Sequence, residues 1–280
     1  MPYNRLVIRR GIIGQAWQLF GAQGGTWIAL GFLVSVPQLA LIAVEMWREQ
    51  PWKNVGKPDT VEPIIPLWNW ETFFTNTVST ALMFVAAGVL VAVALGQIRR
   101  GTVDAADVLS VVPATPSLIL MAIVAAIWNN VFTHVLLTAA ALDAAAVWVL
   151  LLVNMLLVVP LLVAIPLAVD QGLNAISAPS ASAGLMLRHF FRALLLLIGI
   201  WLIFILMATP IGCLAGLATV TISAWGAILG AVLLFAVGCI WMPVYYIFVS
   251  LIYVDVTRTE ARPDHADYQP AASERPEPAA

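Results

Sequence analysis

Residues 99–113 read RRGTVDAADVLSVVP, and two long apolar runs follow: ATPSLILMAIVAAIWNNVFTHVLLTAAAL over 114–142 and AAAVWVLLLVNMLLVVPLLVAIPLAVD over 144–170. Each run exceeds the ~20 apolar residues that a helix needs to cross a hydrocarbon core of ~30 Å. Asp143 joins the two runs, Pro113 stops the segment before them, and Arg99 and Arg100 close the run that precedes it. The stretch reads as a surface helix on one side of a membrane, followed by a helical hairpin that crosses and returns.

The rest of the chain has the same character. It is 62% hydrophobic and 10% charged, whereas a soluble domain carries roughly a quarter charged residues. Backbone groups in lipid have no water partners, so only helices and closed barrels cross it. Continuous rather than alternating apolarity excludes the barrel. Six spans result, over residues 26–46, 71–98, 114–141, 144–168, 193–217 and 224–254. The expected fold is all-α and polytopic, with six transmembrane helices as three hairpins, each preceded by a cytoplasmic interfacial helix. Residues 1–258 form the membrane domain, and the Pro-, Ala- and charge-rich stretch 259–280 reads as a disordered cytoplasmic tail.

Cations set the orientation. Arg5, Arg9, Arg10, Arg99, Arg100, Arg188, Arg192, Arg258, Arg262 and Arg275 fall on one side of the six spans; Arg48, Lys53 and Lys57 fall on the other, in the Trp-rich loop 47–70. The excess of cations on cytoplasmic loops places both termini inside the cell. The N-terminus has no secretory signal pattern: GIIGQAWQLFGAQGG after Arg10 is broken by glycines.

The surface segments carry local signals. Ile12, Ile13, Ala16, Trp17, Leu19 and Phe20 suit an interfacial amphipathic helix broken at Gly24-Gly25, with Trp17 at headgroup level. In the segment after Arg100, Thr102 is positioned to cap a helix whose apolar face is Ala105, Val108, Leu109 and Val112, with Asp104 and Asp107 turned to solvent. Gly88, Ala92 and Gly96 recur every four residues, as do Gly212/Gly216 and Gly226/Gly230; such stripes let helices approach closely in lipid. Pro160, Pro166, Pro210 and Pro243 can each free a carbonyl within a span.

The layout and four short motifs resemble a known family. AWQLF at 16–20, GTVDAADVLSVVP at 101–113, Ala181-Ser182 before LMLRHFFRALL, and YYIFVSLIYVDVTR at 245–258 are similar to the six-helix membrane domain attached to some bacterial glycerophosphodiester phosphodiesterases, and to the related YciC-like inner-membrane proteins. The resemblance covers nearly the whole chain before the tail and implies the bacterial cytoplasmic (inner) membrane. The phosphodiesterase domain has no counterpart in these residues, so no catalytic residue is carried over.

Polar residues inside spans are candidate functional groups. Asn129, Asn130, His134 and Asn154 form one such cluster between spans 3 and 4. If the hairpin turns at residue 142, Asn130 and Asn154 lie at equal depth, which predicts an interhelical amide pair. Asp170, at the end of span 4, is a candidate interfacial ion-pair partner for Arg188 or Arg192. Tyr245, Tyr246 and Tyr253 read as an interfacial belt, and Cys213 and Cys239 as small buried thiols. No hydrolase, zinc, phosphate-loop or Cys-x-x-Cys motif is present. The expectation is therefore a non-enzymatic membrane-organising or accessory protein without catalytic residues, metal or cofactors. Its partners are the lipid bilayer and other membrane proteins or a second copy, not nucleic acid. The alternative is a small-molecule or lipid transporter that uses the polar site between spans 3 and 4.

Overall fold

A computed structural model of the chain describes residues 11–49, 70–142, 144–222 and 224–260. Ten α-helices follow in order: α1 (Ile12–Ala22), α2 (Gly24–Glu49), α3 (Trp70–Arg100), α4 (Ala105–Leu109), α5 (Thr115–Leu142), α6 (Ala144–Val158), α7 (Ala164–Gln171), α8 (Ser177–Leu187), α9 (Phe190–Ile222) and α10 (Ala224–Glu260). Short 3-10 turns occupy Val112–Ala114 and Val159–Leu161, and the described residues contain no strand. Among the described residues, six stretches are long and apolar enough to cross a membrane: 24–41, 73–100, 105–136, 152–171, 190–214 and 235–258. The chain is thus all-α with six candidate spans, as its composition requires. Most of the loop 47–70 and the tail beyond Glu260 lie outside the described residues.

Large apolar side chains stand exposed along the spans, among them Phe32, Leu33, Phe74, Val124, Leu152 and Leu206. In water such a surface would drive aggregation; facing acyl chains, it carries no penalty. Helix association in lipid therefore depends on close packing rather than on water exclusion. The bundle centres on α10, which packs against α9, α1, α2 and α3, while α3 also lies along α5. Helix α9 packs against α10 and α5 against α6, whereas α2 divides its contacts between α3 and α10. Ile12 and Ala16 are fully buried, so α1 docks on α10 with its apolar stripe turned to protein.

Small residues decide the closest crossings. Pro243 has no N–H for the carbonyl of Cys239, one helical turn earlier. Gly31 of α2 meets that carbonyl: a Cβ at Gly31 would collide with the Cys239 oxygen and press on the Pro243 ring. Glycine instead presents a Cα–H there, a weak donor that recurs at helix interfaces. Gly88 admits Leu118 and Val111 in the same way. The stripe logic fails at Gly212, which faces open space.

Of the four prolines, Pro160 breaks its span. Helix α6 stops at Val158, a 3-10 turn carries Pro160, and α7 begins at Ala164. Pro210 and Pro243 sit within continuous helices, and Pro166 within α7. A carbonyl released at such a break needs a partner, because lipid offers none. The fully buried Ser182 of α8 supplies it, donating from Oγ to the Pro160 oxygen at 2.7 Å. The short helix α8 thereby docks beside the break in span 4. Gly101 and Gly172, with φ of 80° and 65°, carry the left-handed turns that end α3 and α7.

A paired substitution tests the role of close approach. Gly31→Ala is expected to destabilise the detergent-solubilised protein by about 1–3 kcal/mol, the usual cost of overpacking. Gly212→Ala should leave its thermal unfolding midpoint unchanged or slightly raised, since alanine favours helix by up to ~1 kcal/mol.

Candidate functional site

The last turn of α3, Gln97-Ile98-Arg99-Arg100, gathers the polar chemistry of the bundle. Gln97 is 1% exposed. Its amide nitrogen donates to the Leu19 carbonyl of α1 at 2.9 Å, and its oxygen accepts the Trp27 indole N–H of α2 at 3.0 Å. One side chain thus ties three helices together. Beside it, Gln23, between α1 and α2, accepts the Val103 N–H at 2.9 Å.

Arg99 reaches Asp170, at the end of α7, at 2.7 Å. The same carboxylate accepts the Tyr253 hydroxyl of α10 at 2.7 Å, and that hydroxyl accepts from the Gln171 amide at 3.1 Å. The ends of spans 2, 4 and 6 are therefore linked on one side of the bundle. Two expectations are corrected here. The ion pair seen for Asp170 is with Arg99, because the return of α7 along α3 brings that arginine alongside. Arg188 lines a neighbouring groove, and Arg192 lies in the first turn of α9. The tyrosines are not an exposed belt: Tyr246 and Tyr253 are buried inside the bundle.

Arg100 turns to Asp107 of α4, with Nη2 2.6 Å from Oδ1. Gly96 makes room for this carboxylate, since a Cβ there would strike it. The expected faces of α4 hold for Asp104, which is exposed, and for Val108, which packs on the core, but not for Asp107, Leu109 and Val112. Asp107 is buried at 8% exposure, while Leu109 and Val112 are 70% and 65% exposed. The cap is Asp104, which accepts the Ala106 N–H at 2.9 Å, rather than Thr102. A charge pair plus a cap outweighs the burial of two side chains, and a membrane surface removes most of the cost of exposing them.

The predicted intramembrane cluster separates into two pairs. Asn130 accepts from the Asn76 amide of α3 at 3.1 Å and donates to the Ala126 carbonyl at 2.8 Å. Asn154 accepts the Trp128 indole N–H at 3.2 Å. The expected Asn130–Asn154 pair is thus replaced, because α5 turns Asn130 toward α3 and Trp128 toward α6. Asn129 and His134 are exposed on α5. The two cysteines are free thiols; Cys239 is buried as expected, but Cys213 is exposed. Among the described residues, no group of three or more His, Cys, Asp or Glu is placed to hold a metal.

Behind the Asp170–Tyr253 link lies a groove between α7, α8 and the end of α10. Leu167, Gln171, Ala181, Gly184, Leu185, Arg188 and Thr257 line it, and this open groove has a volume of about 410 Å³. Gln97, Asn76 and Ser182 escaped the sequence reading. The available signal was modest: a lone amide one turn before two arginines, an asparagine early in span 2, and a serine in a small-residue segment.

The fold and these contacts define a class: a polytopic α-helical membrane protein with interhelical polar contacts both within its spans and at the arginine-bearing end. Compared with family models, curated proteins and solved structures, the chain matches none.

Gln97 and Arg99 should differ sharply on substitution. Gln97→Leu leaves a buried indole N–H and a part-buried carbonyl unpaired, at about 1–3 kcal/mol for a buried group. Arg99→Ala removes a pair whose arginine is 51% exposed, so its loss should stay within ~1 kcal/mol. Thermal unfolding in one detergent, with both variants side by side, checks the order.

Proposed function

We propose that the protein is a non-enzymatic accessory protein of a bacterial cytoplasmic membrane, which organises or assists other membrane components through its arginine-bearing end. We place that end in the cytoplasm, and we propose kinship with the six-helix membrane domain family that its motifs resemble. The supporting observation is how the polar groups are used. Inside the spans, Asn76 pairs with Asn130 and Trp128 with Asn154, which spends them on helix contacts. At the arginine end, by contrast, Leu109 of α4, Val112 of the 3-10 turn after it, and Ile176 and Leu187 at the two ends of α8 are exposed. Chemistry available to other molecules is concentrated there. The arginine distribution supports the orientation by the positive-inside argument.

Transport is the second reading. Its support is the break at Pro160, since broken helices serve substrate sites in many transporters. Against it, the Pro160 carbonyl is occupied by Ser182.

Orientation is tested in a background carrying Cys213→Ala and Cys239→Ala. A cysteine replacing Asp143 should react with a membrane-impermeant maleimide added to intact spheroplasts, and one replacing Thr102 only after the membrane is opened. The reverse pattern would overturn the placement. Function is tested with a photo-crosslinking residue at position 109 or 112 in living cells. Adducts to one recurring membrane component, retained when His134→Leu and Asn154→Leu are added, support the accessory reading. Solute uptake by the purified protein in vesicles, abolished by those two substitutions, would replace it with transport.

A further inference from the structure

The groove behind Asp170 has the make-up of a site for an amphiphile, and its walls can be placed by depth. Gln171 is the last residue of the fourth candidate span, Thr257 lies one residue before the end of the sixth, and Arg188 lies two residues before the start of the fifth. All three polar side chains therefore stand where three spans end, on the side marked by Arg99 and Arg100. The remaining wall, Leu167, Ala181, Gly184 and Leu185, is apolar or bare. At about 410 Å³, the space is within the ~300–1,000 Å³ range of small-ligand sites. Ile176, Leu187 and Phe191, at the two ends of α8, are 80%, 59% and 79% exposed. At the depth where spans end, such side chains face acyl chains, so the groove is reached laterally from lipid.

We propose that this groove binds the headgroup of an anionic phospholipid, with the phosphate at Arg188 and the polar headgroup between Gln171 and Thr257. Its acyl chains lie along the exposed apolar flank of α8. A guanidinium carries five N–H donors in a planar fork that matches the oxygens of a phosphate. Charge-assisted bonds to phosphate are the strongest that such a boundary provides. Gln171 and Thr257 are held in place by other contacts: the Gln171 amide donates to Tyr253, and the Thr257 hydroxyl donates to the Tyr253 carbonyl at 2.8 Å. The Gln171 carbonyl oxygen and the Thr257 hydroxyl oxygen are the acceptors for a hydroxylated headgroup. The inference goes beyond the accessory role and stands or falls separately from it.

Gly184 supplies the discriminating variant. A Cβ there meets nothing within 4 Å, so Gly184→Ala enters the groove without a clash; Gly184→Leu carries the fill further into it, and the alanine variant serves if leucine prevents folding. The full chain is purified and exposed to mixed micelles of phosphatidylglycerol or phosphatidylcholine, and retained lipid is counted by native mass spectrometry. The wild-type protein should retain one phosphatidylglycerol in preference to phosphatidylcholine. Gly184→Leu should lower that retention while the lipid-free melting temperature stays unchanged. Arg188→Gln should reduce the preference for phosphatidylglycerol by about tenfold, the equivalent of one charge-assisted contact. Equal retention of the two lipids by the wild type would overturn the proposal, as would Gly184 and Arg188 variants that retain phosphatidylglycerol as well as the wild type. Displacement of the lipid by excess inorganic phosphate would overturn it in favour of a free anion.

Discussion

One turn of helix, Gln97 to Arg100, holds this bundle in register. Each polar side chain in it reaches a different neighbour: Gln97 to α1 and α2, Arg99 to α7 and through Asp170 to α10, and Arg100 to α4. The underlying constraint is that lipid offers a buried polar group no substitute for its partner. Packing among alkyl side chains is nearly as favourable against acyl tails as against protein, so it says little about which helix faces which. Directional contacts at the span ends therefore carry much of the choice of arrangement.

The same constraint explains the short helices. Each satisfies a specific group on a spanning helix. Asp107 of α4 neutralises Arg100 in the space left by Gly96, and Ser182 of α8 occupies the carbonyl released at the Pro160 break. Helix α1 is joined to α3 through the Leu19 carbonyl, and its own apolar stripe is buried on α10. These segments are parts of the fold that also leave apolar side chains facing outward at the span ends. Structure and surface chemistry are supplied by the same residues.

Glycine contributes where a side chain would intervene. Gly31 and Gly96 matter because a backbone carbonyl and a carboxylate occupy the place of their missing Cβ. Gly184 matters for the opposite reason, since the space beside it is part of the groove. A glycine pattern in the sequence gives no means of separating these cases. Gly212 satisfied the same four-residue spacing and meets nothing.

The sequence by itself determined that the chain is all-α, that six stretches are long enough to span, and that arginines gather at one set of ends. These are properties of ~20 consecutive residues, and hydropathy is additive along a helix. It also marked Asp170 and Asn130 as groups needing partners, because an ionisable or amide side chain in or beside lipid is costly alone. Only the tertiary structure decided which partners they found. Asn130 met Asn76 rather than Asn154, Asp170 met Arg99 rather than Arg188 or Arg192, and Asp107 turned inward. Each outcome depends on the rotation of one helix about its axis and on which helix lies beside it. Nearly uniform apolarity around a span leaves that rotation undefined until the contacts themselves are made.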